Sequence, residues 1–132
     1  MKSRILVVED DEVFLRPLRR ALELAGHEVL AAPSAEHALA RLEDAAAVDV
    51  VLTDRRLPGM DGLELTRRVK AGHPGVAVLV MTGLADGESA REARRAGADG
   101  WLRKPFEVDD LLAALRPLVD GDAPADAGAA RA

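Results

Sequence analysis

The sequence alternates short aliphatic runs with longer amphipathic stretches, and this alternation restricts the possible folds more than any other feature. Five aliphatic runs are present, and each is followed by a stretch whose apolar residues recur at helical spacing. A strand–helix alternation of this kind predicts a parallel sheet with helices on both faces. The runs at 4–8, 48–53 and 76–81 are almost wholly aliphatic, as expected of strands that are covered on both sides. The sequence therefore predicts an α/β domain of five βα units.

The boundaries of these units follow from apolar run length, periodicity and capping residues. Gly26 and Gly97 are expected to end the first and fourth helices, and Ser34 is expected to cap the second. Pro17 lies inside the first helix, where a kink or an irregular first turn is expected, and Pro117 is expected to end or bend the last. The predicted strands are 4–8, 27–32, 48–53, 76–81 and 99–103, and the predicted helices are 12–26, 35–44, 62–72, 87–96 and 107–119.

The side chains of the helices predict which surfaces pack and which face solvent. In the fourth helix, Glu92, Arg94 and Arg95 predict a solvated face. The apolar residues of the first helix, which predict its packing, are Val13, Phe14, Leu18, Leu22 and Leu24.

Composition limits the class of protein and the number of domains. A chain of 132 residues with 48% hydrophobic and 31% charged residues is typical of one globular domain, and no apolar run approaches the roughly 20 residues that span a bilayer. The absence of cysteine excludes disulfides and thiolate-ligated zinc and is compatible with the cytoplasm. A net charge of −5 and the absence of tyrosine argue against direct nucleic-acid binding. We therefore expect a cytoplasmic domain over residues 1–120, without membrane association, and a flexible tail or linker over 121–132.

Polar residues follow four of the predicted strands. Glu9 and Asp10 follow the first strand, Asp54 the third, Thr82 the fourth and Lys104 the fifth. Because ligands bind at the carboxyl edge of such sheets, we expect these side chains to lie together. Three ionised carboxylates would repel one another, and a hard divalent cation such as Mg²⁺ relieves this repulsion. The cation, an ammonium and a hydroxyl suit a phosphoryl group, with Asp54 as the nucleophile that forms an acyl phosphate.

Each of these features alone has a commoner explanation. An acidic pair after a strand is usually a solvated loop or a helix cap, and an aspartate before a Pro-Gly loop usually serves the turn. A lysine before proline is ordinarily a surface residue. The three histidines share no metal-ligand spacing. Only the joint placement of the four elements at four strand ends favours phosphoryl chemistry.

With these motifs the sequence resembles the receiver domains of bacterial two-component response regulators over residues 3–119. The resemblance depends on ILVVEDDE, VVLTDRRLPGMDGLEL, VLVMTG and GADGWLRKPF, and the pattern is most similar to the receivers of NtrC-type and FixJ-type regulators. It implies a flavodoxin-like (βα)5 three-layer sandwich whose parallel five-stranded sheet has the order 2-1-3-4-5. The chain departs from the family pattern at Arg55, where an apolar residue is usual, and at Trp101, where Tyr or Phe is commoner.

The resemblance also implies a phosphoacceptor and a metal site. Asp54 would accept a phosphoryl group from the phosphohistidine of a sensor histidine kinase or of a histidine phosphotransfer protein. Glu9 and Asp10 would hold Mg²⁺ together with Asp54 and the backbone carbonyl of Arg56. The domain would promote its own phosphorylation and dephosphorylation and turn over no separate substrate.

The remaining roles implied by the resemblance concern the switch. Thr82 and Lys104 would contact the phosphoryl oxygens, and Thr82 and Trp101 would change position with phosphorylation. A surface formed by the fourth helix, the fifth strand and the fifth helix would then bind an output partner or a second copy of the chain. Trp101 lies on the fifth strand, three residues before Lys104. Because successive strand residues point to opposite faces, Trp101 is expected on the face opposite Lys104, towards the fourth helix.

Two other classes of protein use related chemistry or a related fold. A Mg²⁺-dependent phosphatase of the haloacid-dehalogenase type would place its nucleophile and acid two residues apart after the first strand, and it would need a cap domain. Here the candidate nucleophile follows the third strand. A dinucleotide-binding domain would need a G-x-G-x-x-G motif after the first strand, and the sequence has none there. The receiver interpretation is favoured over both.

Overall fold

The computed structural model describes residues 3–44, 47–83 and 89–120, in which five strands alternate with five helices. The predicted tail over 121–132 and the first two residues of the predicted fourth helix lie outside the described residues. The strands are Arg4–Val8 (β1), Glu28–Ala32 (β2), Val50–Asp54 (β3), Ala77–Thr82 (β4) and Gly100–Arg103 (β5). The helices are Glu12–Leu24 (α1), Ala35–Asp44 (α2), Gly62–Gly72 (α3), Ser89–Ala96 (α4) and Val108–Asp120 (α5).

The sheet confirms the flavodoxin-like fold. Its five strands are parallel and have the order β2-β1-β3-β4-β5. After β1, the chain places β2 on one side of β1 and β3 on the other side. The carboxyl ends of β1 and β3 therefore border the crevice where ligands bind in folds of this class.

The core is divided into two clusters by the sheet, because successive strand residues point to opposite faces. Leu6 and Val8 pack with buried residues of α2, α3 and α4, whereas Ile5 and Val7 pack with buried residues of α1 and α5. All four of these strand side chains have an exposed fraction of 0%. Among the described residues, no helix is long and apolar enough to cross a membrane.

The buried face of α1 differs from the predicted one. Leu15, Leu18 and Leu22 are buried, whereas Val13 and Leu24 are 81% and 74% exposed. The helix that these apolar residues predicted is confirmed, but Val13 and Leu24 lie outside its buried face. Positions 15, 18 and 22 follow the three- and four-residue steps of one helix face, and Val13 and Leu24 lie outside that stripe.

Neither proline ends its helix, contrary to one of the two outcomes expected for Pro117. Pro17 lies within α1, which begins at an ordinary N-cap where the Asp11 side chain accepts from the Val13 N–H. The irregular first turn is therefore not seen, and a kink at Pro17 stays a prediction. Each proline removes one backbone donor, and packing of the same helix against the sheet offsets that loss.

The predicted cap of α2 is confirmed, since the His37 N–H donates to Ser34 Oγ at 3.1 Å.

Candidate functional site

Asp54 is the last residue of β3 and only 8% of it is exposed. The strand runs one residue further than predicted, because the Arg55 N–H continues the sheet by donating to the Met81 carbonyl at 2.9 Å. On the other side, a Cβ at Gly62 would lie 2.2 Å from the Asp54 carbonyl oxygen, so only glycine allows α3 to approach so closely. The Pro-Gly loop and the glycine that begins α3 thus hold Asp54 at the carboxyl edge of the sheet.

Three carboxylates meet at this edge. Glu9, Asp10 and Asp54 each offer an oxygen that lies within 4.8 Å of the other two. Glu9 is 3% exposed, whereas Asp10 is exposed to solvent. The convergence predicted for these three side chains is therefore seen in the structure. Negative charges at such spacing repel one another unless a cation or a proton intervenes.

Lys104 brings a positive charge to the same place. Its Nζ lies 3.1 Å from Asp54 Oδ2 and 3.6 Å from Glu9 Oε1. The ammonium also lies 4.2 Å from the ring centroid of Phe14, a cation–π contact that the sequence interpretation missed. The Lys104 N–H donates to the Thr82 carbonyl at 2.7 Å, which ties the residue after β5 to the end of β4.

The electrostatic environment of Glu9 suits a cation. Burial raises the pKa of its carboxyl group, and the nearby Asp54 and Asp10 carboxylates raise it further, although the Asp11 N–H and Lys104 act in the opposite direction. Its Oε1 is buried and accepts no hydrogen bond from the described residues. A buried carboxylate oxygen without a donor, next to two further carboxylates, fits the oxygen ligands that a hard divalent cation prefers.

The two remaining predicted neighbours of Asp54 also lie at this edge. Thr82 is the final residue of β4 and is 3% exposed, and the residue before it, Met81, is the Cα partner of Asp54 across the sheet. The Arg56 N–H donates to Asp54 Oδ1 at 3.3 Å. Arg56 also lines a cavity of about 330 Å³ together with Asp10. Side-chain convergence is seen for Glu9, Asp10, Asp54 and Lys104, whereas the roles of the Thr82 hydroxyl and the Arg56 carbonyl stay predictions.

Trp101 lies on the face of the sheet that was expected for it. Its side chain is 5% exposed and belongs to the cluster that contains Ala93 and Ala96 of α4. The Arg94 guanidinium carbon lies 5.1 Å from the centroid of its ring. Its role in a switch stays a prediction.

One ion pair near the site was missed by the sequence interpretation. Arg55 Nη2 lies 2.9 Å from Glu92 Oε1, although Glu92 was assigned to a solvated face of α4. The sequence feature that could have indicated this ion pair was Arg55 itself. A charged residue directly after a buried strand requires a counter-charge from another segment.

Comparisons with known proteins identify the family. The model of the response regulator receiver domain matches residues 5–116. The response regulator protein FleR of Pseudomonas aeruginosa is 41% identical over 112 residues, which cover 85% of this chain and 24% of FleR. The DNA-binding transcriptional regulator NtrC of Escherichia coli is 40% identical over 111 residues, which cover 83% of this chain and 23% of NtrC. The chain therefore spans about a quarter of the length of these two relatives.

Solved structures agree with this result. A response regulator receiver domain protein from Clostridium thermocellum has a TM-score of 0.84 at 34% identity, and the match covers 90% of this chain and 95% of that one. A CheY-like receiver domain protein from Methanospirillum hungatei has the same TM-score of 0.84 and 34% identity. The strand order, the acidic cluster beside a lysine and these matches lead to one conclusion: the chain belongs to the response regulator receiver domain family.

Proposed function

We propose that this domain accepts a phosphoryl group on Asp54 from the phosphohistidine of a sensor histidine kinase or a histidine phosphotransfer protein. The observation that carries the proposal is the buried Asp54 carboxylate, 3.1 Å from Lys104 Nζ and within 4.8 Å of two further carboxylates. In the transfer, an Asp54 oxygen attacks phosphorus and the phosphorus–nitrogen bond breaks. The electron pair of that bond returns to the histidine, and an acyl phosphate remains on Asp54.

Each neighbour of Asp54 has a part in this proposal. Glu9, Asp10, Asp54 and the Arg56 carbonyl would hold Mg²⁺, which when bound supplies positive charge to the phosphoryl oxygens. Lys104 would neutralise a further oxygen, and its cation–π contact and two carboxylate neighbours keep the ammonium directed into the site.

The proposal extends from the site to a partner surface. The Thr82 hydroxyl would bind a phosphoryl oxygen, and Thr82 is separated from α4 only by residues 83–88. We propose that a movement of Thr82 displaces α4 and changes the surroundings of Trp101 on β5, which packs against α4. We propose that the surface of α4, β5 and α5 binds an output partner or a second copy of the chain. FleR and NtrC are regulators about four times as long, and in a protein of that kind the domain would act as the regulatory module.

The experiment is phosphorylation by radiolabelled acetyl phosphate in the presence of Mg²⁺. The unchanged protein is expected to incorporate one phosphoryl group per chain, and Asp54→Asn is expected to incorporate none, because an amide oxygen is a poor nucleophile. Asp109→Asn is the matched control, since Asp109 is an exposed aspartate on α5. Label that enters Asp54→Asn as it enters the control would show that the acceptor has been assigned wrongly.

A further inference from the structure

Arg55, the residue after Asp54, forms an ion pair with a helix that lies far along the chain. Its Nη2 lies 2.9 Å from Glu92 Oε1 of α4, and the Arg55 side chain is 14% exposed while that of Glu92 is 46% exposed. A guanidinium this far buried loses hydration, and a close carboxylate replaces part of what is lost. The pair therefore connects the residue next to the proposed acceptor with α4.

The Arg55 end of this ion pair is fixed by the backbone. The Arg55 N–H donates to the Met81 carbonyl at 2.9 Å, and the Arg55 carbonyl accepts from the Gly62 N–H at 2.9 Å. A Cβ at Gly62 would lie 2.9 Å from the Arg55 Cα, so α3 packs directly on this residue. Because β4 and α3 hold the Arg55 backbone in place, the ion pair acts on the position of α4 rather than on the position of Arg55.

Helix α4 packs on α3, β4 and β5 with small apolar side chains. Its buried side chains among the described residues are Ala93 and Ala96, at 0% and 5% exposure, and Ala90 is partly buried. An alanine methyl group buries little apolar area compared with the leucines of α1, α3 and α5. The contact of Arg94 with the Trp101 ring adds a second charged interaction. The position of α4 therefore depends on charged contacts more than the positions of those three helices do.

We propose that Arg55 and Glu92 are positioning residues whose ion pair holds α4 in its unphosphorylated arrangement and thereby opposes phosphoryl uptake at Asp54. The inference rests on the proposed function, in which Thr82 moves towards the phosphoryl group. A displacement of α4 that follows Thr82 alters the 2.9 Å contact between Arg55 and Glu92, and any departure from this close geometry weakens the ion pair. Breaking the pair beforehand removes this opposition and shifts the population towards the binding-competent arrangement.

Glu92→Gln tests the inference with little disturbance, because Glu92 is the more exposed partner and glutamine keeps the side-chain length. The measurement is a titration with beryllofluoride, a mimic of the phosphoryl group, in excess Mg²⁺, with bound fluoride followed by fluorine NMR. The concentration for half-saturation is expected to fall about threefold relative to the unchanged protein, which corresponds to ~0.7 kcal/mol. The melting temperature is recorded separately for each variant.

Two controls test whether the change in half-saturation comes from the Arg55–Glu92 ion pair. They exclude the loss of one negative charge and a general loss of stability as its cause. Glu23→Gln removes the same charge from an exposed ion pair with Arg19 on α1, at 3.3 Å, and is expected to leave half-saturation unchanged. In an Arg55→Gln background, Glu92→Gln is expected to have no further effect, because the ion pair is already lost.

The outcomes distinguish this inference from the proposed function. If the unchanged protein binds no beryllofluoride, the proposed function is contradicted. If the unchanged protein binds it and Glu92→Gln needs the same or a higher concentration, only the present inference is overturned. The same holds if Glu92→Gln still lowers half-saturation threefold in the Arg55→Gln background.

Discussion

The Asp54 carboxylate ends a fully buried strand, and its immediate neighbours explain how it is tolerated there. The Lys104 ammonium at 3.1 Å and the Arg56 N–H at 3.3 Å lower the cost of burying it. Glu9 and Asp10 have the opposite effect, because they add like charge next to Asp54. Glu9 and Asp10 therefore lower stability at this edge of the sheet, and a bound ligand of opposite charge would offset that cost.

Asp10 allows the proposed cation site to be tested without disturbing the core, because it is the exposed member of the acidic cluster. Asp10→Ala is expected to weaken Mg²⁺ binding by about tenfold or more, which corresponds to at least ~1.4 kcal/mol. Isothermal titration calorimetry measures the affinity. Glu12→Gln is the control, since Glu12 is an exposed acidic residue in the first turn of α1 and lies outside the cluster. Equal Mg²⁺ affinities in Asp10→Ala and the unchanged protein would argue against this cation site.

At the scale of elements, an aromatic ring of β5 packs against α4. Trp101 of β5 is 5% exposed and packs in the cluster with Ala93 and Ala96 of α4. Its Nε1 is buried and finds no hydrogen-bond partner within residues 3–44, 47–83 and 89–120. An indole N–H without a partner destabilises this packing. The ring is already buried before any phosphoryl group is added, so we expect its surroundings to change on switching rather than its burial to increase.

Intrinsic fluorescence reports on this element, because Trp101 is the one tryptophan in the chain. Addition of Mg²⁺ and beryllofluoride is expected to change its emission, since a displaced α4 moves the Arg94 charge relative to the ring. Asp54→Asn, which lacks the proposed acceptor carboxylate, is expected to show no change. Identical spectra of the unchanged protein with and without the mimic, once fluorine NMR has shown binding, would exclude Trp101 from the switch.

At the scale of the whole molecule, the strands of one sheet contribute side chains to two hydrophobic clusters, one on each face. Leu6 belongs to the cluster under α2, α3 and α4, and Leu52 belongs to the cluster under α1 and α5. Both side chains have an exposed fraction of 0%. Because the same strands contribute to both clusters, loss of packing on one face weakens the strands that support the other. We therefore expect the two faces to unfold in one cooperative transition.

Leu6→Ala and Leu52→Ala are a matched pair for testing this cooperativity. Each is expected to lower the free energy of unfolding by about 2–5 kcal/mol, because each leaves a cavity in a fully buried site. Urea unfolding is followed by far-UV circular dichroism and by Trp101 fluorescence, and Trp101 lies on the Leu6 side of the sheet. For Leu52→Ala, both signals should shift to the same lower midpoint. A fluorescence midpoint that stays in place while the dichroism midpoint falls would show that the two clusters unfold separately.

Much of the fold and of the candidate site follows from local sequence pattern. The alternation of aliphatic runs with amphipathic stretches determines the βα units, because strand and helix periodicity are properties of neighbouring residues. The parallel arrangement then places every strand's carboxyl end at one edge. For this reason Glu9, Asp10, Asp54, Thr82 and Lys104 could be assigned to one site before any distance between them was known.

The tertiary structure decided what depends on distances between remote segments. It selected Leu15 rather than Val13 for the core, because the position of α1 on the sheet determines which stripe is covered. It left Glu9 Oε1 buried without a hydrogen bond from the described residues, and it brought Glu92 to Arg55 across the end of β3. The sequence shows which charges exist and roughly where each element lies. Which charges become neighbours depends on how the helices pack over the sheet, and no local pattern encodes that packing.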